Sequence, residues 1–476
     1  MPLGTPHAAA PAPSTVSAAF CRHLLDAYAA PLPPEVARAA RRSLLNVLGT
    51  AIGGARTAAV DALLATARDE RVRGTVAVPG RAETVDAHWG ALIAGTAAHL
   101  DDFDDTHLAT VIHPGAATLG TLLALEPELD VAGSRYLSAF ALGCEAQLRI
   151  GNAISPRHYD LGWHITGTCG VLGAAVAASL LLGQDAATLE RALSLAGTMV
   201  LGHREGFGSM TKPFHPGKAA ANGVLAARLA AAGAGGGPDP LGPSGVLDVL
   251  SDRVDRGRLG GPWDRDWELE DNAFKPYPCG IVAHPCIDAA IAASAEIGDP
   301  GAVTAVEIDC HPLVPELMGR RQPGDHLQAR FSAYHAAAVG LIDGEAGIAQ
   351  FGDERALAPD VVRLRGLITL RPSESCARDE ATLRAAREDG PEVVTRVRHA
   401  RGSLDRPLTD GELFEKVRKL IEPELGAEAP ARIRDAVDGL DGAPGIAALV
   451  AVIRPENATQ LVPGSGTPGT SQEDHR

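Results

Sequence analysis

The chain has 476 residues, 45% of them hydrophobic, and a formal net charge of −16. Its length exceeds what one ordinary core serves and predicts two domains. The acidic balance leaves no basic face to offset phosphate repulsion, which excludes nucleic acid and anionic membranes as partners.

The first sixteen residues, MPLGTPHAAAPAPSTV, are rich in Ala and Pro and contain no apolar run. Residues 1–16 therefore read as a disordered N-terminus without a secretory signal. From 17 to 268, helix follows helix. Pro34 opens PEVARAARRSLLNVLGTAIGG as a first-turn proline, and Gly53–Gly54 close it. Ala87–Leu100, Pro114–Leu125, Ser134–Leu148, Thr168–Leu182, Ala186–Ala196 and Gly217–Ala232 also carry apolar residues at helical spacing. Ala and Gly abound on these helices and aromatics make up only 4% of the chain, so backbones are expected to approach closely. The longest apolar run, Val171–Leu182, is too short to span a bilayer.

The character changes near Asp271. Val303–Cys310 (VTAVEIDC) alternates with period two, as a half-buried strand does. Val361–Leu370 and Val393–Arg398 are β-rich, with helical Ala283–Ala293 and Ala329–Leu341 among them, so 269–402 predicts a smaller α+β domain. From Leu408 a helical pattern returns, with Thr409 or Asp410 as cap before GELFEKVRKLI. Residues 403–455 are read as rejoining the first helical domain, and 456–476 as a disordered tail. The fold class is thus mainly α: a large helical domain from N- and C-terminal segments plus a smaller α+β domain. Seven cysteines without a CxxC pair or zinc-like spacing point to a reduced cytoplasm.

Chemistry concentrates in five segments. The first, HLDDFDDTHLATVIHP (99–114), crowds four aspartates and three histidines between two apolar helices. Four carboxylates repel one another, and a fold gains nothing from crowding them unless the charge is used. The proline after His113 suits a helix first turn, so His113 stands at a helix N-terminus, where the dipole favours anions and lowers an imidazole's pKa. His164 precedes a Gly-rich helix start in LGWHITGTCG. Lys212 and His215 lie just before another helix in SMTKPFHPGKAAANG. Lys275 and His284 stand in FKPYPCGIVAHP, at the entrance to the α+β domain. Tyr334 and His335 lie on a helix in ARFSAYHAAAVGL.

The chain uses 5 lysines against 38 arginines, so arginine serves wherever a generic surface cation will do. Lysine alone can lose its proton when buried and presents a compact charge. Lys212, Lys218 and Lys275 fall in Gly/Pro/His-rich segments, whereas Lys416 and Lys419 sit on an ordinary amphipathic helix. Singly, each motif has a bland reading: core histidines, solvated acids and proline turns are common. Together they repeat one arrangement, a cation or imidazole at a Pro/Gly-marked loop feeding a helix N-terminus. That arrangement suits a small polyanion such as a di- or tricarboxylate.

In order and spacing, LDDFDDT…HPG, GWHITGTCGVLGAAVAAS, MTKPFHPGKAAANGVLAARLA and KPYPCGIVAHPCIDAA resemble the MmgE/PrpD family. PEVARAARRSLLNVLGTAIGG and PLTDGELFEKVRKL resemble its flanking segments, so the likeness runs from about residue 17 to 450. The resemblance implies a large helical domain with an α+β lid, a homodimer, and lyase or epimerase chemistry without metal or other cofactor. Members include 2-methylcitrate dehydratase, cis-aconitate decarboxylase and an iminodisuccinate epimerase. Carried over residue by residue, it places Asp102, Thr106, His113, His164, Lys212, Lys275 and Tyr334 in the pocket between domains. His284 is a further polar position in the lid. Asn46 stands where the family often has Asp, and Ala94 where Asn is common.

The reaction so implied moves a proton at a carbon next to a carboxylate. His113 is the expected acid/base. Lys212, Lys275 and His164 would hold carboxylates and stabilise charge. Tyr334 would donate a proton or orient substrate, Asp102 would orient its His or Lys neighbours, and Thr106 would donate a hydrogen bond to substrate. The leading expectation is a 2-methylcitrate dehydratase-like hydro-lyase. A cis-aconitate decarboxylase-like or iminodisuccinate epimerase-like enzyme is the alternative, and a non-catalytic carboxylate binder a remote one. DDFDD also fits the magnesium-binding DDxxD of prenyl transferases, but few aromatics and no second Asp-rich helix accompany it. No HExxH supports a zinc hydrolase.

Overall fold

A computed structural model describes residues 15–456, apart from 261, 262, 264, 265 and 389. The stretches expected to be disordered lie outside the described residues except at their inner edges. There, Thr15 caps helix α1 (Val16–Ala29) by accepting from the Ala18 N–H at 3.1 Å.

The principal helices that follow are α2 (Pro34–Gly53), α3 (Ala58–Asp69), α4 (Ala87–His99), α5 (Pro114–Leu125), α6 (Gly133–Ile154), α7 (Ile165–Leu181), α8 (Ala186–Gly197) and α9 (Thr211–Ala231). Every residue of α5 and α7 is buried, so these two form the centre and the more amphipathic helices wrap them. Small residues set the spacing. A Cβ on Gly217 of α9 would lie 2.2 Å from both Leu92 O and Thr96 Oγ1 of α4. Only glycine lets the two backbones come this close.

The helical core joins residues from Phe20 to Leu269 with Val417–Ile453. Helix α13 (Asp410–Leu425) returns to α2, where Val417 lies against Gly49. Thr409 is its cap, in a complete capping box with Glu412. A separate core runs from Tyr277 to Val393. It holds α10 (His284–Ile297), α11 (Ala333–Asp343), α12 (Pro359–Leu367) and a four-stranded sheet. Counting from a short ladder of β1 (Thr106–His107) with β2 (Asn272–Ala273), the sheet strands are β3 (Val303–Cys310), β4 (Ile368–Pro372), β5 (Ala381–Arg387) and β6 (Val393–Val397). Their order is β4-β3-β5-β6, parallel between β3 and β4 and antiparallel elsewhere.

The structure corrects several boundaries. Val361–Leu370 is not one β segment: Pro359 starts a helix that runs to Leu367 before β4 begins. Strand β5 was not anticipated, because ATLRAAR is poor in β-branched residues; Ala381, Leu383 and Ala385 nonetheless alternate inward. The expected helix Ala329–Leu341 is interrupted after Ala329, and Ser332 caps α11. Helix α9 starts before Gly217, so Lys212 and His215 lie in its first turns rather than ahead of it. Among the described residues no single helix is long and apolar enough to cross a membrane.

Candidate active site

Local structure brings the flagged segments together. Helix α4 ends at His99 and releases the aspartate loop, which β1 then pins to β2 through Thr106↔Ala273 and His107↔Asn272. That ladder carries Lys275 to the loop. His113 and His164 are the N-cap residues of α5 and α7. Lys212 lies in the first turn of α9, so three helix N-termini face one point, each favouring negative charge there. From the α+β side, buried Arg330 clamps Asp101, donating from Nε to its carbonyl at 3.2 Å and from a second nitrogen to its carboxylate.

Asp102 is the hub. Its backbone adopts φ 50°, a left-handed conformation that Asp tolerates better than most residues. Its Oδ1 accepts from Lys212 Nζ at 2.6 Å and lies 3.0 Å from Lys275 Nζ. Lys275 also donates to the Asp102 carbonyl at 2.9 Å. Burial alone would raise the Asp102 carboxyl, but the two ammoniums hold it well below the usual carboxylate range. Burial pushes Lys212 down, against the pull of Asp102. Lys212 Nζ also donates to His99 Nε2 at 2.9 Å, and His99 Nδ1 donates to Asp104 at 2.7 Å. These bonds define a neutral His99, in line with burial lowering its pKa.

His113 donates from Nδ1 to the Asp105 carbonyl at 2.9 Å, with Thr106 Oγ1 at 3.0 Å from the same nitrogen. Its Nε2 lies 3.8 Å from Asp102 Oδ1, and both residues line the same cavity. Burial, opposed by Asp104 at 3.4 Å from Nδ1 and aided by Lys275, pushes this imidazole well below its ordinary pKa. The geometry thus gives a neutral ring with its lone pair on Nε2. Behind it, Asp105 takes donors from Asn272 at 2.6 Å, Gly115 N–H at 3.2 Å and Ser43, yet burial and adjacent Asp104 push its carboxyl up to about 6. His164 stacks on His99 with centroids 5.5 Å apart and meets His215 through Nδ1–Nδ1 at 2.9 Å. Between those two nitrogens one proton is shared, so His215 determines which tautomer His164 presents.

Asp102, Thr106, His113, His164, Lys212 and Lys275 line one cavity of about 50 Å³, closed by Phe207, Phe331 and Met318. Two expected residues are not among its lining. Tyr334 is half-buried in the α+β part with the Arg321 guanidinium 5.1 Å from its ring. His284 is buried, donates to the Cys279 carbonyl at 3.4 Å, and borders a larger neighbouring chamber. Sequence reasoning missed His99 as a participant, although it begins the aspartate loop. It also passed over Lys416, which is buried and donates to Asn46 Oδ1 at 2.7 Å and the Phe103 carbonyl at 2.6 Å. Its scarcity was a signal; its amphipathic surroundings hid it.

His99, Asp102, Asp104 and His113 offer ligand atoms within 4.8 Å of one another, a spacing that a metal ion could span. The Lys212 ammonium bridges two of these groups through Asp102 and His99, so the positive charge a metal would bring to them is supplied by lysine.

The model of the MmgE/PrpD N-terminal domain matches residues 18–257, and that of the C-terminal domain matches 277–442. The chain belongs to the MmgE/PrpD family. Cis-aconitate decarboxylase of Mus musculus is 28% identical over 408 residues, covering 81% of this chain and 83% of that protein. The human cis-aconitate decarboxylase is 28% identical over 348 residues, or 69% and 72% of the two chains. That of Aspergillus terreus is 24% identical over 493 residues, or 93% and 96%. The family and these relatives support a lyase.

Proposed function

We propose that the protein is a lyase acting on a small di- or tricarboxylate, and that it eliminates water after removing a proton beside a carboxylate. The neutral His113, lining a cavity together with two ammoniums, carries this reading. A base must be unprotonated to accept a proton, and burial keeps His113 so at neutral pH. In the proposed step His113 Nε2 takes the proton. Lys275 holds the carboxylate whose oxygens gain charge. Lys212, with its ammonium pKa lowered by burial, gives a proton to the departing hydroxyl, which leaves as water; the cycle closes when the proton held by His113 is returned to Lys212, whose place is fixed by Asp102 and His99. His164 hydrogen-bonds a second carboxylate.

The relatives' names favour a second reading, decarboxylation of cis-aconitate. There the ammoniums hold the remaining carboxylates while carbon dioxide leaves, and Lys212 protonates the allylic carbanion. Proton NMR in deuterated buffer separates the two, using 2-methylcitrate, citrate, cis-aconitate and an iminodisuccinate analogue without added metal. The expected result is a vinyl signal from citrate or, from 2-methylcitrate, replacement of the methyl doublet by an allylic methyl singlet. Itaconate from cis-aconitate would replace dehydration by decarboxylation. Deuterium uptake without net conversion would indicate epimerisation, and silence across the panel from folded protein would overturn the substrate class. We further propose a cytoplasmic homodimer, which light scattering on the purified chain tests for assembly.

A further inference from the structure

The small polar cavity does not stand alone. A chamber of about 390 Å³ adjoins it between the helical and α+β parts, and the two share Val111, Tyr159, Ile281, Val282 and Leu317. The outer chamber differs in chemistry. Its walls include Leu108, Leu313 and Leu404 beside the shared apolar residues. Some of its charges are engaged within the protein: Arg401 pairs with Glu412 at 3.0 Å, and Asp379 and Asp405 lie 2.9 and 3.5 Å from His399, while exposed Arg378 and Asp160 border it. Apolar surface left open in a cleft marks a binding groove.

Val111 stands where the two spaces meet, and its backbone has φ 56°. A β-branched residue in the left-handed region is a strained outlier. The turn holds it there with Val111 N–H donating to His107 O and His107 N–H to Ile112 O, each at 2.8 Å. Strain kept at the neck between a charged and an apolar space points to a ligand that occupies both.

We propose that the substrate is a di- or tricarboxylate bearing an uncharged alkyl arm of several carbons. The carboxylates sit in the inner site and the arm passes Val111 into the outer chamber. This rests on the inner site being the one that handles carboxylates, as argued above.

The test measures dissociation constants by calorimetry for 2-methyl-, 2-butyl- and 2-hexylsuccinate. These have neither a leaving hydroxyl nor a double bond and so report binding without turnover. Affinity is expected to tighten by about fourfold per methylene buried. Leu404→Asp, at a side chain 47% exposed and so tolerant of substitution, and Leu108→Asp should each flatten that slope. A flat or falling series in the wild type would overturn the proposal. So would a slope that survives both substitutions, because the arm would then bind elsewhere. Turnover of short tricarboxylates is read separately. Activity on them with no chain-length gain defeats the alkyl arm alone, whereas a rising series with no turnover defeats the lyase reading alone.

Discussion

Lys212 donates to both Asp102 and His99, and His113 presents the only lone pair assigned to proton removal. Lys212→Ala and His113→Ala are each expected to lower kcat by on the order of 10² or more. Circular dichroism should stay native, since Lys275 still pairs Asp102. Near-full activity in both variants would remove them from the mechanism. The pH profile tests the same assignment. His113 is lowered from the ordinary imidazole value of about 6.5, so kcat/KM should stay level as pH falls through 6.5 and decline only below it. Half-maximal rate at 6.5 would contradict a buried neutral base. Most of the site was legible because lysine is rare here and prolines mark the helix starts that carry His113 and Lys212. Tyr334 was not, because its place on α11 says nothing of which way that helix faces.

Helix α9 brings Lys212 to His99 at the end of α4, and the contact between their backbones fixes the distance. Besides the clash on Gly217, a Cβ on Gly95 would lie 2.7 Å from Gly217 Cα. Gly217→Ala should therefore destabilise the protein by about 1–3 kcal/mol through overpacking. Urea denaturation measures that cost, and an unchanged midpoint would show that the helices can separate freely. Helix periodicity could be read at this scale because every turn repeats it. The β5 strand could not, since an Ala-based alternation is faint and its pairing with β3 is set by tertiary contact.

Across the whole molecule, buried imidazoles link folding to pH. Burial pushes His158 and His335 down to about 4 and His284 down to about 3. In the unfolded chain each titrates near about 6.5, so their stabilising contribution is fully present above that pH and is lost as pH falls toward the folded values. Each such group weakens folding by roughly 1.4 kcal/mol per pH unit within that window. The urea midpoint should thus drop clearly between pH 7.5 and 5.5; a constant midpoint would mean that these rings are protonated in the fold. The separation into a helical core and an α+β core followed from where period 3.6 gave way to period 2. The helical pattern returning at Leu408 reads as a segment rejoining the helical domain, but its seat on α2 and its contact through Lys416 to the aspartate loop are set by tertiary packing that no local pattern carries.

The two ammoniums on one Asp102 oxygen have a consequence for selectivity. The chain carries its own tethered competitor, so an incoming anion must displace a carboxylate that is already in place. On the proposed reading chloride or acetate would offer a single contact in exchange, whereas a chelating polyanion would engage both cations and the helix ends together. On that same reading Asp102 acts as a threshold, favouring a chelating polyanion over common monoanions at the two lysines.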